Sequence, residues 1–151
     1  MPLNMLEELN YLVEIILATG RLRDSDPYIR PVSALIISDP GAGKTETVGE
    51  FALEKGVLFA NYITPFAINR RFGPDIAKGD IRHIIIPDFS NYIAGGKEQH
   101  GPTITYFNSI VEDGIIRILT RDSDWTNIST MGILRPARCG IIACISIDDF
   151  N

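Results

Sequence analysis

The stretch Ala34-Leu-Ile-Ile-Ser-Asp-Pro-Gly-Ala-Gly-Lys-Thr-Glu46 is a short apolar run that breaks into a glycine-rich turn and continues into a helix-forming segment. Read as strand, turn and helix, it matches a phosphate-binding loop. Such a loop wraps successive backbone N–H groups around a phosphate, sets a Lys on the terminal phosphates and offers a Ser or Thr hydroxyl to Mg²⁺. Gly43, Lys44 and Thr45 fill the last three places of the G-x-x-x-x-G-K-[ST] pattern. The first place, normally Gly, is Ser38, and Pro40-Gly41 supply the tight turn. The plainer alternative is an ordinary strand-to-helix turn, but the strand before, the helix after and the turn dipeptide between them favour phosphate. A dinucleotide fingerprint does not fit, because Glu46 stands where its third Gly belongs and Lys44 would crowd a pyrophosphate.

The rest of the composition bounds what such a loop could serve. With 151 residues, 45% of them apolar, the chain can fold as one domain with its own core. A net charge of −5 gives no general footprint for nucleic acid, and Arg70-Arg71, Arg82 and the Arg135/Arg138 pair read as solvated charge. Cys139 and Cys144 make neither a disulfide framework nor a zinc site, which suits a reducing, cytoplasmic setting. The apolar runs fall well short of the roughly 20 residues that span a bilayer, so no membrane partner is expected.

In chain order, Leu6, Leu9, Leu12, Val13, Ile16 and Leu17 recur at helical spacing and predict an amphipathic helix over 5–19, stopped by Gly20. A charged connector leads to a strand over 32–37. After the loop, Val48, Phe51 and Ala52 form one face of a helix ending at Gly56, and a buried strand follows over 57–61. Thr64-Pro65 start a short helix that Gly73-Pro74 should end. A third strand over 81–86 closes at Pro87-Asp88. Residues 95–101 read as a polar, flexible loop, and Pro102 opens a helix that stops at Gly114. Residues 115–120 and 128–134 suggest a hairpin, and 140–147 a last buried strand. Strands alternating with helices imply an α/β fold, a mainly parallel sheet with helices on both faces and ligands at the carboxyl ends of the strands.

A phosphate loop that does chemistry also needs a carboxylate to hold Mg²⁺. Asp88, at the carboxyl end of an apolar strand downstream of the loop, fits that need; its alternative use is to end the strand and cap the next helix. His83 and His100 are too isolated for a metal site and read as structural. Glu98 and Glu112 lack the spacing for a catalytic base.

Ser38 to Thr45, Ile84-Ile-Ile-Pro-Asp88, the helix ending Ile110-Val-Glu-Asp-Gly114 and the strand Gly140-Ile-Ile-Ala-Cys-Ile-Ser146 together resemble the AAA+ branch of P-loop ATPases over most of 32–149. The resemblance implies a three-layer P-loop NTPase core over 32–151, with 1–31 as an N-terminal amphipathic helix and connector packed on it. It implies ATP and Mg²⁺ as ligands. Pro40, Gly41, Ala42, Gly43, Lys44, Thr45 and Glu46 would bind the nucleotide, Thr45 and Asp88 the metal, and Lys44, Asp88 and Ser146 would carry catalysis, Ser146 standing at the sensor place. The glutamate that usually follows the metal-binding aspartate is Phe89 here, which implies impaired or differently based hydrolysis.

The function so implied is Mg·ATP binding and hydrolysis that drives remodelling of a partner, in DNA transactions by analogy, with a homo-oligomer or a protein partner completing the site. A non-catalytic nucleotide sensor and a P-loop small-molecule kinase are the alternatives. Relative to that family the sequence ends before the lid and the fifth strand. The strand over 32–37 is therefore expected to be an open edge.

Overall fold

Four apolar runs, each too short and too β-branched to make a helix, form the frame of the molecule: β1 (Ala34–Ser38), β2 (Val57–Phe59), β3 (His83–Ile86) and β6 (Gly140–Ser146). In the computed structural model, which describes residues 3–26, 28–61, 64–93, 97–116, 135–136 and 139–150, they pair as one all-parallel sheet in the order β1-β6-β3-β2. Register runs Ile36 opposite Cys144 between β1 and β6, and Ile85 opposite Ile142 between β3 and β6. Two strands, β4 (Ile115–Ile116) and β5 (Arg135–Pro136), form a separate antiparallel pair.

Because side chains alternate along a strand, the central strands feed two cores. Ile84, Ile86, Ile141 and Ala143 point to one face. There they meet Ile68 and Ile76 of α3 (Pro65–Lys78), Tyr92 of α4 (Ser90–Ile93) and Phe107 of α5 (Lys97–Asn108). Ile85, Ile142 and Cys144 point to the other, against Val13 and Ile16 of α1 (Leu3–Arg21), Val48 of α2 (Lys44–Gly49) and Phe51. Ile84, Ile85, Ile86 and Ile142 are fully buried. Truncating any of them to Ala should cost about 2–5 kcal/mol. The expected α/β fold with a mainly parallel sheet and helices on both faces is therefore present, and α1 shares its core with the sheet, although Leu12 of its apolar stripe stays half-exposed.

Several element boundaries differ from the sequence expectation for identifiable reasons. Gly20 does not stop α1. It is the penultimate residue of the helix, and what requires glycine there is the ring of His83, whose Nδ1 a Cβ would meet at 2.9 Å. Gly73-Pro74 do not stop α3 either. Proline keeps a helical φ at the loss of one backbone bond, and the helix runs on to Gly79. Gly79, at φ +88°, closes it with the Asp80 N–H donating to the Asp75 carbonyl at 2.9 Å. Arg23, buried and held below its ordinary pKa chiefly by desolvation, donates to the Ile76 and Ala77 carbonyls at the same end.

The helix after the loop is shorter than expected. α2 ends at Gly49, and tight turns lead to Gly56 at φ +85°. Residues 97–101, read as flexible loop, begin α5 instead, so Pro102 lies inside it. A five-residue π-type turn, Ser109–Asp113, then ends at Gly114. Most of the expected hairpin over 115–134 lies outside the described residues; the partner of Ile115–Ile116 is Arg135–Pro136. β6 stops at Ser146, and Ile147–Phe150 form a last short helix, α6.

Candidate functional site

All four strands of the sheet run parallel, so their carboxyl ends lie along one edge, and the glycine-rich loop leaves β1 there. Pro40-Gly41 make a tight turn closed by the Ala42 N–H on the Asp39 carbonyl at 3.3 Å, with Gly41 at φ +74° in the place where only glycine is unstrained. Gly43 repeats the left-handed conformation at φ +84° and starts α2 without a side-chain cap. The N–H groups of the first turn, Lys44 to Glu46, therefore have no helical acceptor. Thr47 does not relieve them; its backbone and side chain both donate to the Gly43 carbonyl at 3.0 Å.

Lys44 is the least ordinary residue of this loop. It is only 8% exposed, and among the described residues it makes no hydrogen bond or ion pair. Its stem is packed away while the ammonium is not among the enclosed side-chain atoms, so the charge at the head of α2 is open to an anion. Its field reaches the thiol of Cys144 on β6 beneath the loop. Burial pushes that thiol up to about 11, Lys44 opposing the rise and Asp88 adding to it.

Thr45 turns toward the end of β3, its hydroxyl donating to the Pro87 carbonyl at 3.4 Å, one residue from Asp88. The fold thus brings Lys44, Thr45 and Asp88 to one place. The Asp88 carboxylate accepts from the Ser90 N–H at 3.1 Å, from the Ser90 hydroxyl and from Asn91 Nδ2 at 3.3 Å, so it also organises the start of α4. Carboxylate oxygens keep further lone pairs beside such bonds. The residues present therefore fit a phosphate with its divalent cation: an ammonium with no partner among the described residues, the N–H groups of the first turn, one hydroxyl and one carboxylate. Among the described residues no group of three or more His, Cys, Asp or Glu side chains could hold a metal on its own.

The other expected site residues are placed differently. Ser146 ends β6 opposite Ser38, but its hydroxyl donates to Asp149 Oδ2 at 2.6 Å and accepts the Asp149 N–H, capping α6. Glu46 is exposed on α2 and lines a cleft of about 430 Å³ between α1 and α2, with Glu7, Glu14, Glu50, Tyr11 and Gly43. Phe89 packs among aromatics, its ring 6.1 Å from Tyr92 and 6.3 Å from Phe107. Glu112 is an exposed surface residue at 3.6 Å from Arg30. Arg82 pairs with Asp24 at 2.7 Å, and His83 Nε2 donates to the Val32 carbonyl at 3.0 Å; both are structural contacts.

Sequence reasoning gave α1 only a packing role, yet Leu6 lies against Gly43 and makes α1 a wall of the loop. The available signal was a second stripe on α1, Glu7, Asn10, Tyr11 and Glu14, at helical spacing opposite the core face. No helix among the described residues is long and apolar enough to cross a membrane. No family model, no curated protein and no solved structure matches the chain.

Proposed function

We propose that this chain binds ATP as its Mg²⁺ complex, with the phosphates in the loop between β1 and α2, and that the parallel sheet is the core of a P-loop NTPase of AAA+ type. The observation that carries this reading is Lys44, whose stem is packed at the head of α2 and whose ammonium has no bond or ion pair among the described residues. A triphosphate supplies the missing counter-charge, and the free N–H groups of the first turn supply the rest of an anion cradle. Mg²⁺ would be held by the Thr45 hydroxyl and the Asp88 carboxylate, where it offsets charge on the terminal phosphates.

Turnover that drives remodelling of a partner is the function this arrangement would serve in an assembled protein. A second reading, binding without hydrolysis, draws support from Phe89: the position that would carry a water-activating carboxylate is occupied by a half-buried ring packed against Tyr92 and Phe107. Parallel measurement of bound ATP and released phosphate tests both. Binding that requires Mg²⁺, with phosphate release, supports an ATPase; binding without release supports a sensor. Absence of binding overturns the proposal.

A further inference from the structure

β1 has a strand partner on one side only among the described residues, and that partner is β6. Among the described residues its outer edge therefore has no backbone partner, which makes it a template for another strand. Proteins blunt such edges with charged side chains, but residues 31–38, Pro-Val-Ser-Ala-Leu-Ile-Ile-Ser, carry none.

The surface on both sides of that edge is apolar. On one face Leu35 and Ile37 stand clear of the core, beside a groove of about 270 Å³ lined by Phe89, Phe107, Ile141 and Ala143. On the other face α1 flanks the edge. The Val32 N–H donates to the Thr19 hydroxyl at 2.9 Å, which fixes the side of α1 that faces β1, and Ile15 and Leu12 lie on that same side one and two turns back. Leu12, Ile15, Val32, Leu35 and Ile37 are each 40–50% exposed. They flank the edge on both faces, Leu35 and Ile37 on one and Leu12 and Ile15 of α1 on the other.

Charge at the ends of the edge strand selects the occupant and its direction. Arg30 precedes the uncharged run and Asp39 follows it, both exposed. A second copy running parallel would set like charges side by side, whereas an antiparallel copy sets Arg30 of each chain near Asp39 of the other. The contact Arg30 now makes with Glu112, at 3.6 Å between largely exposed groups, is too weak to compete.

We propose that β1 pairs edge to edge and antiparallel with β1 of a second copy of this chain, joining two four-stranded sheets across a twofold axis. Such an interface is self-complementary, as a closed dimer requires. It also sends the two glycine-rich loops to opposite ends of the strand pair, so neither loop is covered. The proposal does not depend on what the loop binds.

Sedimentation velocity over a hundredfold range of concentration is the test. The expected result is a reversible monomer–dimer equilibrium that Leu35→Lys shifts toward monomer by at least tenfold in Kd, with circular dichroism unchanged. Val32→Lys, just before the strand and half-exposed, repeats the test without altering β1. Arg30→Asp and Asp39→Arg should each weaken the dimer, and together restore it. A wild-type chain that stays monomeric throughout overturns the proposal, whatever other partner the edge takes. So does a dimer indifferent to both lysine variants, or one that the double charge exchange fails to restore.

Discussion

Gly140→Ala should be among the most damaging single-atom additions in this protein. His83 begins β3 opposite Gly140 of β6, and its ring lies across that glycine to reach the Val32 carbonyl ahead of β1, thereby tying three strands together. A Cβ at Gly140 would stand 2.5 Å from Nε2, 2.6 Å from Cδ2 and 2.7 Å from the Val32 oxygen. The ring cannot retreat, because Gly20 of α1 lies against its other side. Overpacking of a close-fitting core costs about 1–3 kcal/mol, and orphaning a buried hydrogen-bonding group costs about as much again. About 3 kcal/mol is the central expectation, which for a chain of this size lowers Tm by about 6–12 °C. Urea unfolding followed by circular dichroism measures it. Gly49→Ala, which would meet nothing within 4 Å, is the control and should be neutral or slightly stabilising. Adding His83→Ala should recover part of the Gly140→Ala loss, since it removes the clash. A Gly140→Ala loss below about 1 kcal/mol, or strict additivity with His83→Ala, would refute the reasoning.

The same histidine sets a pH dependence. Burial holds its pKa below the ordinary imidazole value, the bond to Val32 opposing the shift only in part, so the native state keeps it neutral while the unfolded chain binds a proton. Stability is then complete above about pH 6.5 and falls as pH drops below it, by at most about 1.4 kcal/mol per pH unit. His83→Gln should flatten that part of a stability-versus-pH curve, and an unchanged slope would assign the acid sensitivity elsewhere. Phe89→Glu should lower stability by about 1–3 kcal/mol without raising phosphate release, because it sets a carboxylate beside Tyr92 and Phe107; a stable variant with faster phosphate release would show the reverse. Thr45→Ala should weaken Mg·ATP more than metal-free ATP in parallel titrations, and equal losses would remove Thr45 from the metal site.

What could be read in advance follows the range of the interaction involved. Strand positions, the two-faced α1 and the loop are patterns of neighbouring residues, and Ile84-Ile-Ile86 and Gly41-Ala-Gly43 announce themselves. Glycine and proline read as punctuation were less informative, because their roles depend on what they touch. Gly20 admits the ring of His83, which β3 directs to the face that α1 covers, and Pro74 is carried by a helix whose stop is Gly79. Residues 97–101 are polar and contain glycine, yet they are helical ahead of an apolar face at Phe107 and Ile110 that buries against the sheet. At the site, spacing alone brought Lys44, Thr45 and Asp88 into one list, and the fold brings them to one place. Spacing could not show that Ser146 is engaged with Asp149, nor that α1 walls the loop through Leu6, since both are contacts made only in three dimensions.

The most direct measurement of the central claim is thermal unfolding of the wild type and of Lys44→Met, each with and without Mg·ATP. Methionine keeps nearly the volume and removes the charge, so in the absence of nucleotide the variant should be at least as stable as the wild type, because the packed stem is kept and the ammonium makes no bond or ion pair among the described residues. With Mg·ATP the wild type should rise in Tm, by an amount that grows with ligand concentration, and the variant should not respond. A Lys44→Met protein that is less stable on its own and still rises with Mg·ATP would contradict the claim that Lys44 is held in the loop to meet a phosphate.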